Sequence, residues 1–142
     1  MHAPQVPDPS RLRFRAHVRT RWSDEDNQDV LNNAVYMTLF EEARHAYFER
    51  LGLLDGARFP FLLAQCNVRF LAPGRGGRDV EVGMATVELG SSSFRQVYRV
   101  QLAQGGAVWA EAEAVLVCYD PATGRSRPMD ADFKRAIAEF ER

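Results

Sequence analysis

The sequence predicts an α+β fold: a curved antiparallel sheet of five to six strands wrapped around one long α-helix. Three observations support it. One long helical pattern follows the first strand-like segment, and four or five strand-like segments joined by short turns come after it. The sequence lacks the alternating βα units that would indicate a parallel sheet. The length of 142 residues fits one domain, so we expect a single domain over residues 1–142.

The first elements are a strand and a helix separated by an acidic loop. Residues 14–22 are rich in β-forming side chains and predict a strand, whereas residues 23–31 are polar and lack periodicity. Residues 33–51 carry a wide apolar stripe at helical spacing. Asn32 and Gly52 stand where such a helix would be capped at its start and its end. A stripe of this width predicts a helix surrounded by protein.

The rest of the chain reads mainly as strands. Residues 61–71, 79–89, 94–102 and 108–119 have β-type patterns, and residues 130–141 predict a short closing helix. Ala110, Ala112 and Ala114 share one face of their strand, so something bulky can approach the sheet there. Residues 1–12 contain three prolines without periodicity and predict a loose N-terminal arm.

Composition argues against several classes of function. Eighteen basic residues against nineteen acidic ones give a net charge of −1, which gives no reason to expect a nucleic-acid partner. No apolar run approaches the roughly 20 residues that span a bilayer, so no membrane span is expected. The two cysteines lie in apolar runs, which favours a reducing compartment, and we expect the cytoplasm. No metal-ligand spacing is present, so no metal site is expected.

The segment from Asp24 to Tyr36 is the one that carries chemistry. It places acidic side chains directly before the N-terminus of the predicted helix. Free backbone N–H groups at a helix start favour anions and can hydrogen-bond a developing oxyanion. A carboxylate beside such donors suits acyl transfer. The alternative is that these acidic residues only complement the helix dipole and solvate a loop.

Several motifs occur in a fixed order over residues 19–129. They are Asp24-x-Asp26, Asn32-Asn33-Ala34-Val35-Tyr36, Phe40-Glu41-Glu42-Ala43-Arg44, Val68-Arg69-Phe70-Leu71-Ala72-Pro73, Ser92-Ser93-Phe94, and Val117-Cys118-Tyr119-Asp120 before Thr123-Gly124-Arg125. Together they resemble hot-dog-fold acyl-CoA thioesterases of the 4-hydroxybenzoyl-CoA thioesterase family. The resemblance implies the hot-dog fold and the hydrolysis of an acyl-CoA thioester to a carboxylic acid and coenzyme A. Coenzyme A is then part of the substrate, and no cofactor is expected.

The resemblance also implies roles for individual residues. Asp26 matches the catalytic carboxylate, as nucleophile or as general base toward water, and Asn33 matches the residue whose backbone N–H contacts the thioester oxygen. Tyr36 matches an aromatic pocket wall. Further substrate-binding positions are expected at Ser92, Ser93, Arg125 and Arg127, the arginines contacting the phosphates of coenzyme A. By the same resemblance two subunits join their sheets, with the active site between them, in a homodimer or homotetramer.

Three further features of the sequence bear on this interpretation. Many relatives have Gly-His where this chain has Asp29-Val30, so the alternative is a non-catalytic acyl-CoA-binding hot-dog protein. Glu41 and Arg44 are expected to form an i,i+3 ion pair that supports packing or a subunit contact. The glycine- and arginine-rich segment 74–78 lacks the context of a phosphate loop and is interpreted as a loop tip.

Overall fold

The sheet is antiparallel throughout and contains six strands. The structure, a computed structural model, describes residues 2–142. The strands are β1 (Phe14–Arg19), β2 (Phe61–Phe70), β3 (Asp79–Leu89), β4 (Ser93–Leu102), β5 (Val108–Asp120) and the short β6 (Arg125–Ser126). Their order is β1-β3-β4-β5-β2, with β6 paired to β5. The predicted number and direction of the strands are confirmed.

One long helix, α1 (Asn33–Leu51), packs against the inner face of this sheet. It begins and ends where the sequence predicts. The Asn32 side chain accepts the N–H of Ala34 at 2.9 Å, and Gly52 ends the helix in a left-handed conformation with φ 70°. Opposite the helix, the side chains of Ala110, Ala112 and Ala114 are buried, so small residues make room for the aromatic face of α1.

A second helix, α2 (Ala131–Glu141), covers one end of the core. Asp130 caps its start by accepting the N–H of Asp132 at 2.8 Å. Its buried residues are Phe133 and Ile137, and the Phe133 ring stacks on that of Phe48 from α1 with ring centroids 5.7 Å apart. Neither helix in residues 2–142 is long and apolar enough to cross a membrane.

The start of the chain differs from expectation in two places. Strand β1 ends at Arg19 instead of residue 22, because Trp22–Asp24 forms a 3₁₀ turn closed by the Asp24 carboxylate. The segment expected to be a loose arm lies along the outer face of the sheet. Leu12 is buried there with Ala85 and Val97, since the outer face offers an apolar patch to this side chain.

Strand β2 forms one edge of the sheet and exposes large apolar side chains. Leu62 and Leu63 are 54% and 40% exposed, and Phe70 and Leu71 at its other end are 47% and 42% exposed. An edge strand of ten residues with exposed apolar groups is a surface on which another strand can pair. The opposite edge, β1, is shorter, with six residues.

Candidate active site

The loop between β1 and α1 is fixed by Asp24. Its side chain is 8% exposed and accepts the backbone N–H of Arg21 at 2.7 Å and a guanidinium N–H of the same residue at 2.9 Å. Burial would raise the pKa of the Asp24 carboxyl, but these hydrogen bonds hold it below its usual value. The Asp24 carbonyl accepts the N–H of Asn32 at 2.9 Å. Asp24 therefore ties the loop to the start of the helix.

Asp26 lies in a tight turn next to this anchor. Its N–H donates to the carbonyl of Val30 at 2.8 Å, and one of its carboxylate oxygens accepts the N–H of Gln28 at 2.7 Å. The side chain is half-buried. No hydrogen bond from residues 2–142 reaches the other carboxylate oxygen. One oxygen thus orients the side chain, and the second accepts no hydrogen bond from these residues.

Asp29 occupies a backbone conformation that favours glycine. Its φ is 60°, in the left-handed region, which aspartate tolerates better than most residues. Its carbonyl accepts a hydrogen bond from the Arg75 guanidinium. The turn therefore accommodates Asp29 without a glycine, and the Asp29 side chain is exposed. Asp29-Val30, in place of the Gly-His of many relatives, therefore changes the side chains that this turn carries.

The N-terminus of α1 presents backbone donors beside this turn. Asn32 uses its side chain to satisfy the N–H of Ala34, and its carbonyl accepts the N–H of Val35 at 2.9 Å. The N–H of Asn33, the first of the helix, donates to no group within residues 2–142. A free N–H at a helix start attracts an anionic oxygen.

A cleft of about 230 Å³ opens at this helix end. Asn33 and Tyr36 line one side, and the chain from Phe70 to Gly74 lines the other. The Tyr36 ring meets Phe70 edge-on with centroids 5.1 Å apart. Burial raises the pKa of Tyr36 to about 12, so its hydroxyl is a neutral wall of the cleft. Val30 also lines the cleft, and its carbonyl accepts the N–H of Asp26.

The segment after β2 is a loop, as the sequence predicts, but two of its glycines pack against the rest of the chain, and the first of them lines the cleft. Gly74 is buried, and its carbonyl accepts the N–H of Leu31 at 2.9 Å. The N–H of Gly76 donates to the Glu25 carboxylate at 2.8 Å. Both glycines lie so close to other chain atoms that a Cβ would clash. The sequence shows glycines here, but only the tertiary structure shows what they approach.

The remaining predicted substrate-binding residues lie at the other end of the sheet. Ser93 pairs with Val117 on β5, whereas Phe70, beside Tyr36, pairs with Ala110. Seven residues of strand separate these two β5 positions, or roughly 23 Å. Ser92, Arg125 and Arg127 belong to the Ser93 end, where Ser92 accepts the N–H of Cys118 and Arg127 donates its N–H to Cys118. One chain alone does not bring the two groups together.

The Glu41–Arg44 ion pair was a wrong expectation. Glu41 is exposed, whereas Arg44 is only 5% exposed. The Arg44 guanidinium donates to the hydroxyl of Tyr98 on β4 at 2.8 Å. The helical register explains this, because Arg44 lies at the border of the buried face and Glu41 lies outside it. Within residues 2–142, no group of three or more His, Cys, Asp or Glu side chains is arranged to hold a metal ion.

The fold and the cleft together define a hot-dog protein with an acidic loop at the N-terminus of its central helix. The chain belongs to the thioesterase-like superfamily, whose family model matches residues 20–137. A comparison with curated proteins gave no match.

Solved structures agree with this assignment. A thioesterase from Thermus thermophilus, complexed with coenzyme A and zinc, is 34% identical, with a TM-score of 0.79 over 89% of this chain and 93% of that one. A 1,4-dihydroxy-2-naphthoyl-CoA thioesterase from Synechocystis is 18% identical, with a TM-score of 0.80 over 91% and 98%. A predicted thioesterase from Bacillus stearothermophilus is 24% identical, with a TM-score of 0.80 over 89% and 94%. The last two show the fold alone, and the hot-dog prediction is confirmed.

Proposed function

We propose that this protein hydrolyses an acyl-CoA thioester to a carboxylic acid and coenzyme A. The observation that carries the proposal is the free N–H of Asn33, a residue that lines the cleft next to the turn that holds Asp26. A thioester carbonyl oxygen beside that N–H would receive a hydrogen bond and the field of the α1 dipole as negative charge develops on it. The membership of the chain in the thioesterase-like superfamily supports this reaction class.

Asp26 supplies the catalytic carboxylate, either as a nucleophile or as a general base. As a nucleophile, its free oxygen bonds to the thioester carbon, the C–S bond breaks, and coenzyme A leaves as a thiolate. Water then hydrolyses the mixed anhydride and restores the carboxylate. As a general base, the same oxygen takes a proton from a water molecule that attacks the carbonyl carbon directly, after which the tetrahedral intermediate collapses, the C–S bond breaks and coenzyme A leaves as a thiolate. Either route needs no cofactor, and coenzyme A enters only as part of the substrate.

The complete site is formed by two copies of the chain, joined by their β2 edges around a two-fold axis. Antiparallel pairing of two identical strands puts the Phe70 end of one beside the Phe61 end of the other. Phe61 pairs with Cys118, whose carbonyl accepts the N–H of Arg127. The arginine end of the second copy is therefore brought toward the Asn33 end of the first. This pairing also covers the exposed leucines of β2.

This geometry gives the predicted substrate-binding residues a role. Arg125 and Arg127 of the second copy contact the phosphates of coenzyme A, and its Ser92 and Ser93 lie beside the thioester arm. A homotetramer built from two such dimers leaves these sites intact. The thiols of Cys66 and Cys118 are free, which suits a reducing compartment, and we place the reaction in the cytoplasm.

A hydrolysis screen tests the proposal. Acyl-CoA thioesters with short, long and aromatic acyl groups are each incubated with the protein, and the release of coenzyme A is followed with a thiol reagent. We expect turnover of at least one class. Saturable binding of the thioesters with no turnover by any of them would instead support the non-catalytic acyl-CoA-binding alternative. That alternative draws its support from Asp29-Val30, where a negative side chain stands beside Asp26.

A further inference from the structure

The hydroxyl of Tyr36 is a polar group without a side-chain partner at the start of α1. Tyr36 is only 2% exposed, and its hydroxyl makes no hydrogen bond to another side chain within residues 2–142. Two polar side-chain atoms in this part of the chain are sealed from solvent without a hydrogen bond, namely Arg44 Nε and Arg99 Nη1. The Tyr36 hydroxyl is not one of them, so it opens on the cleft that Tyr36 lines.

This hydroxyl lies at the N-terminal end of the helix. A Cβ on Gly74 would be 2.6 Å from the Tyr36 hydroxyl and 3.0 Å from Cβ of Leu31, so the two groups flank one position. Leu31 comes shortly before Asn33, the first residue of α1. The Tyr36 side chain therefore leans back over the first helical turn, as helical side chains do, toward the end at which the Asn33 N–H is free.

The surroundings of the phenol hold it in this position and keep it protonated. Its ring meets Phe70 edge-on with centroids 5.1 Å apart, and Gly74 packs against the hydroxyl. Burial raises the pKa of Tyr36 to about 12, although the nearby N–H of Gly74 acts in the opposite direction. At neutral pH the hydroxyl therefore carries its proton, which it can donate to a ligand in the cleft.

The rest of the cleft offers few competing donors. Nine residues line it, and Asn33 and Tyr36 alone among them have polar side chains. On the opposite wall, the backbone N–H groups of Leu71 and Ala72 already donate to the carbonyl of Trp109, at 2.7 Å and 3.2 Å. An oxygen atom of a ligand at the helix end of this apolar cleft therefore finds its hydrogen-bond donors at Asn33 and Tyr36.

We infer that the Tyr36 hydroxyl is the second donor of the oxyanion hole, beside the N–H of Asn33. The inference rests on the proposed function and adds a catalytic side chain to the same site. When the nucleophile bonds to the thioester carbon, the carbonyl oxygen becomes negatively charged, and both groups donate hydrogen bonds to it. The hydroxyl keeps its proton throughout, and the oxygen returns to a carbonyl as the C–S bond breaks. Donors that are fixed in an apolar cleft stabilise this charge without having to reorient.

Tyr36→Phe removes the hydroxyl and keeps the ring that packs on Phe70. On the best thioester of the hydrolysis screen, kcat should fall by at least about tenfold, since the loss of one oxyanion donor typically costs about 10²–10³-fold. KM should change by less than about threefold, because the hydrogen bond strengthens only as the oxyanion forms. A smaller fall in kcat, or an effect confined to KM, would overturn the inference.

Tyr47→Phe is the matched control. Tyr47 lies about three turns further along α1, where its buried hydroxyl contacts Thr86 and Glu141. Its loss should lower the melting temperature and leave kcat within about threefold of the native value. An equal fall in kcat in both variants would overturn the inference, because any buried phenol of α1 would then have the same effect. A Tyr36→Phe protein that does not fold would also overturn it, since the hydroxyl would then be structural.

A binding comparison tests the donor without requiring turnover. The ketone analogue of hexanoyl-CoA, in which a CH2 group replaces the sulfur atom, keeps the carbonyl oxygen and cannot be hydrolysed. S-hexyl-coenzyme A has a similar chain without that oxygen. In calorimetry, Tyr36→Phe should weaken binding of the ketone by at least about threefold more than binding of the thioether, as expected for one hydrogen bond, whereas Tyr47→Phe should not. Equal effects of Tyr36→Phe on both ligands would overturn the inference.

The kinetic and binding results together separate this inference from the proposed function. Hydrolysis of a thioester by the native protein, with kcat unchanged in Tyr36→Phe, would contradict the inference and leave the proposed function standing. No hydrolysis of any thioester, together with the selective loss of ketone binding in Tyr36→Phe, would contradict the proposed activity and support Tyr36 as a donor to the carbonyl oxygen.

Discussion

Replacing Gly74 by alanine tests whether the wall of the cleft packs as tightly as the structure shows. A Cβ on Gly74 would lie 2.6 Å from the Tyr36 hydroxyl, 2.8 Å from Cε3 of Trp109 and 3.0 Å from Cβ of Leu31. All three neighbours are at most 3% exposed, so none can move into solvent. Overpacking typically costs about 1–3 kcal/mol, and three rigid contacts place this variant in the upper half of that range.

The measurable consequences follow from this cost. For a chain of this size, about 2–3 kcal/mol lowers the melting temperature by roughly 4–12 °C. The same displacement moves the wall away from the Asn33 N–H, and kcat/KM for any hydrolysed thioester should fall by about 10- to 100-fold. Calorimetry and steady-state kinetics on one preparation give both numbers.

A matched glycine provides the control. Gly83 is also buried, but a Cβ there would meet only Leu12, at 3.4 Å, on the outer side of the sheet. Gly83→Ala should lower the melting temperature by no more than a few degrees and leave turnover unchanged. Native stability and native kinetics in Gly74→Ala would refute the account of the cleft wall.

Three further predictions concern assembly, substrate anchoring and pH. Light scattering should give a dimer or tetramer of the 16.1 kDa chain, and Leu62→Lys on the exposed β2 edge should weaken it; a wild-type monomer at micromolar concentration would contradict the shared site. Arg125→Ala with Arg127→Ala should raise KM more than it lowers kcat, because remote contacts act equally on ground and transition states; an unchanged KM would remove both from the site. The lowered pKa of Asp24 means that its stabilising contribution is present above its unfolded pKa and is lost as pH falls through its folded pKa. Asp24→Asn should therefore cost about 1–3 kcal/mol near neutral pH and less in acid, measured by denaturant unfolding, and an equal cost at both pH values would contradict the charged role.

The sequence predicted the elements of the fold well because their signals are local. The helix at Asn33–Leu51 has a cap at each end and an apolar stripe between them, so its bounds were predictable. The end of β1 was not, because the turn at Trp22 depends on the carboxylate of Asp24 reaching back to Arg21. Strand β6 has two residues and exists only through its pairing with β5, which no local pattern reveals.

The site was predictable in part. Asn33 and Tyr36 lie one turn apart at the start of α1 and line the same cleft, and Asp26 lies in the turn that precedes the helix. Arg44 was misassigned because i,i+3 spacing predicts a surface pair, while the rotation of the helix about its axis decides which of the two residues is buried. The wall formed by Gly74 depends on contacts between segments far apart in the chain, and composition alone carries no signal for them.

Turnover by Asp26→Asn is the measurement that tests the central claim most directly. Asparagine retains the oxygen that accepts the Gln28 N–H, so the turn and the fold should persist, but the charge and the basicity are lost. If Asp26 is nucleophile or general base, kcat falls by at least about 10²–10⁴-fold with thioester binding retained. Asp24→Asn, two residues away, should lose stability with a much smaller change in kcat. A folded Asp26→Asn protein with near-native turnover would contradict the assignment.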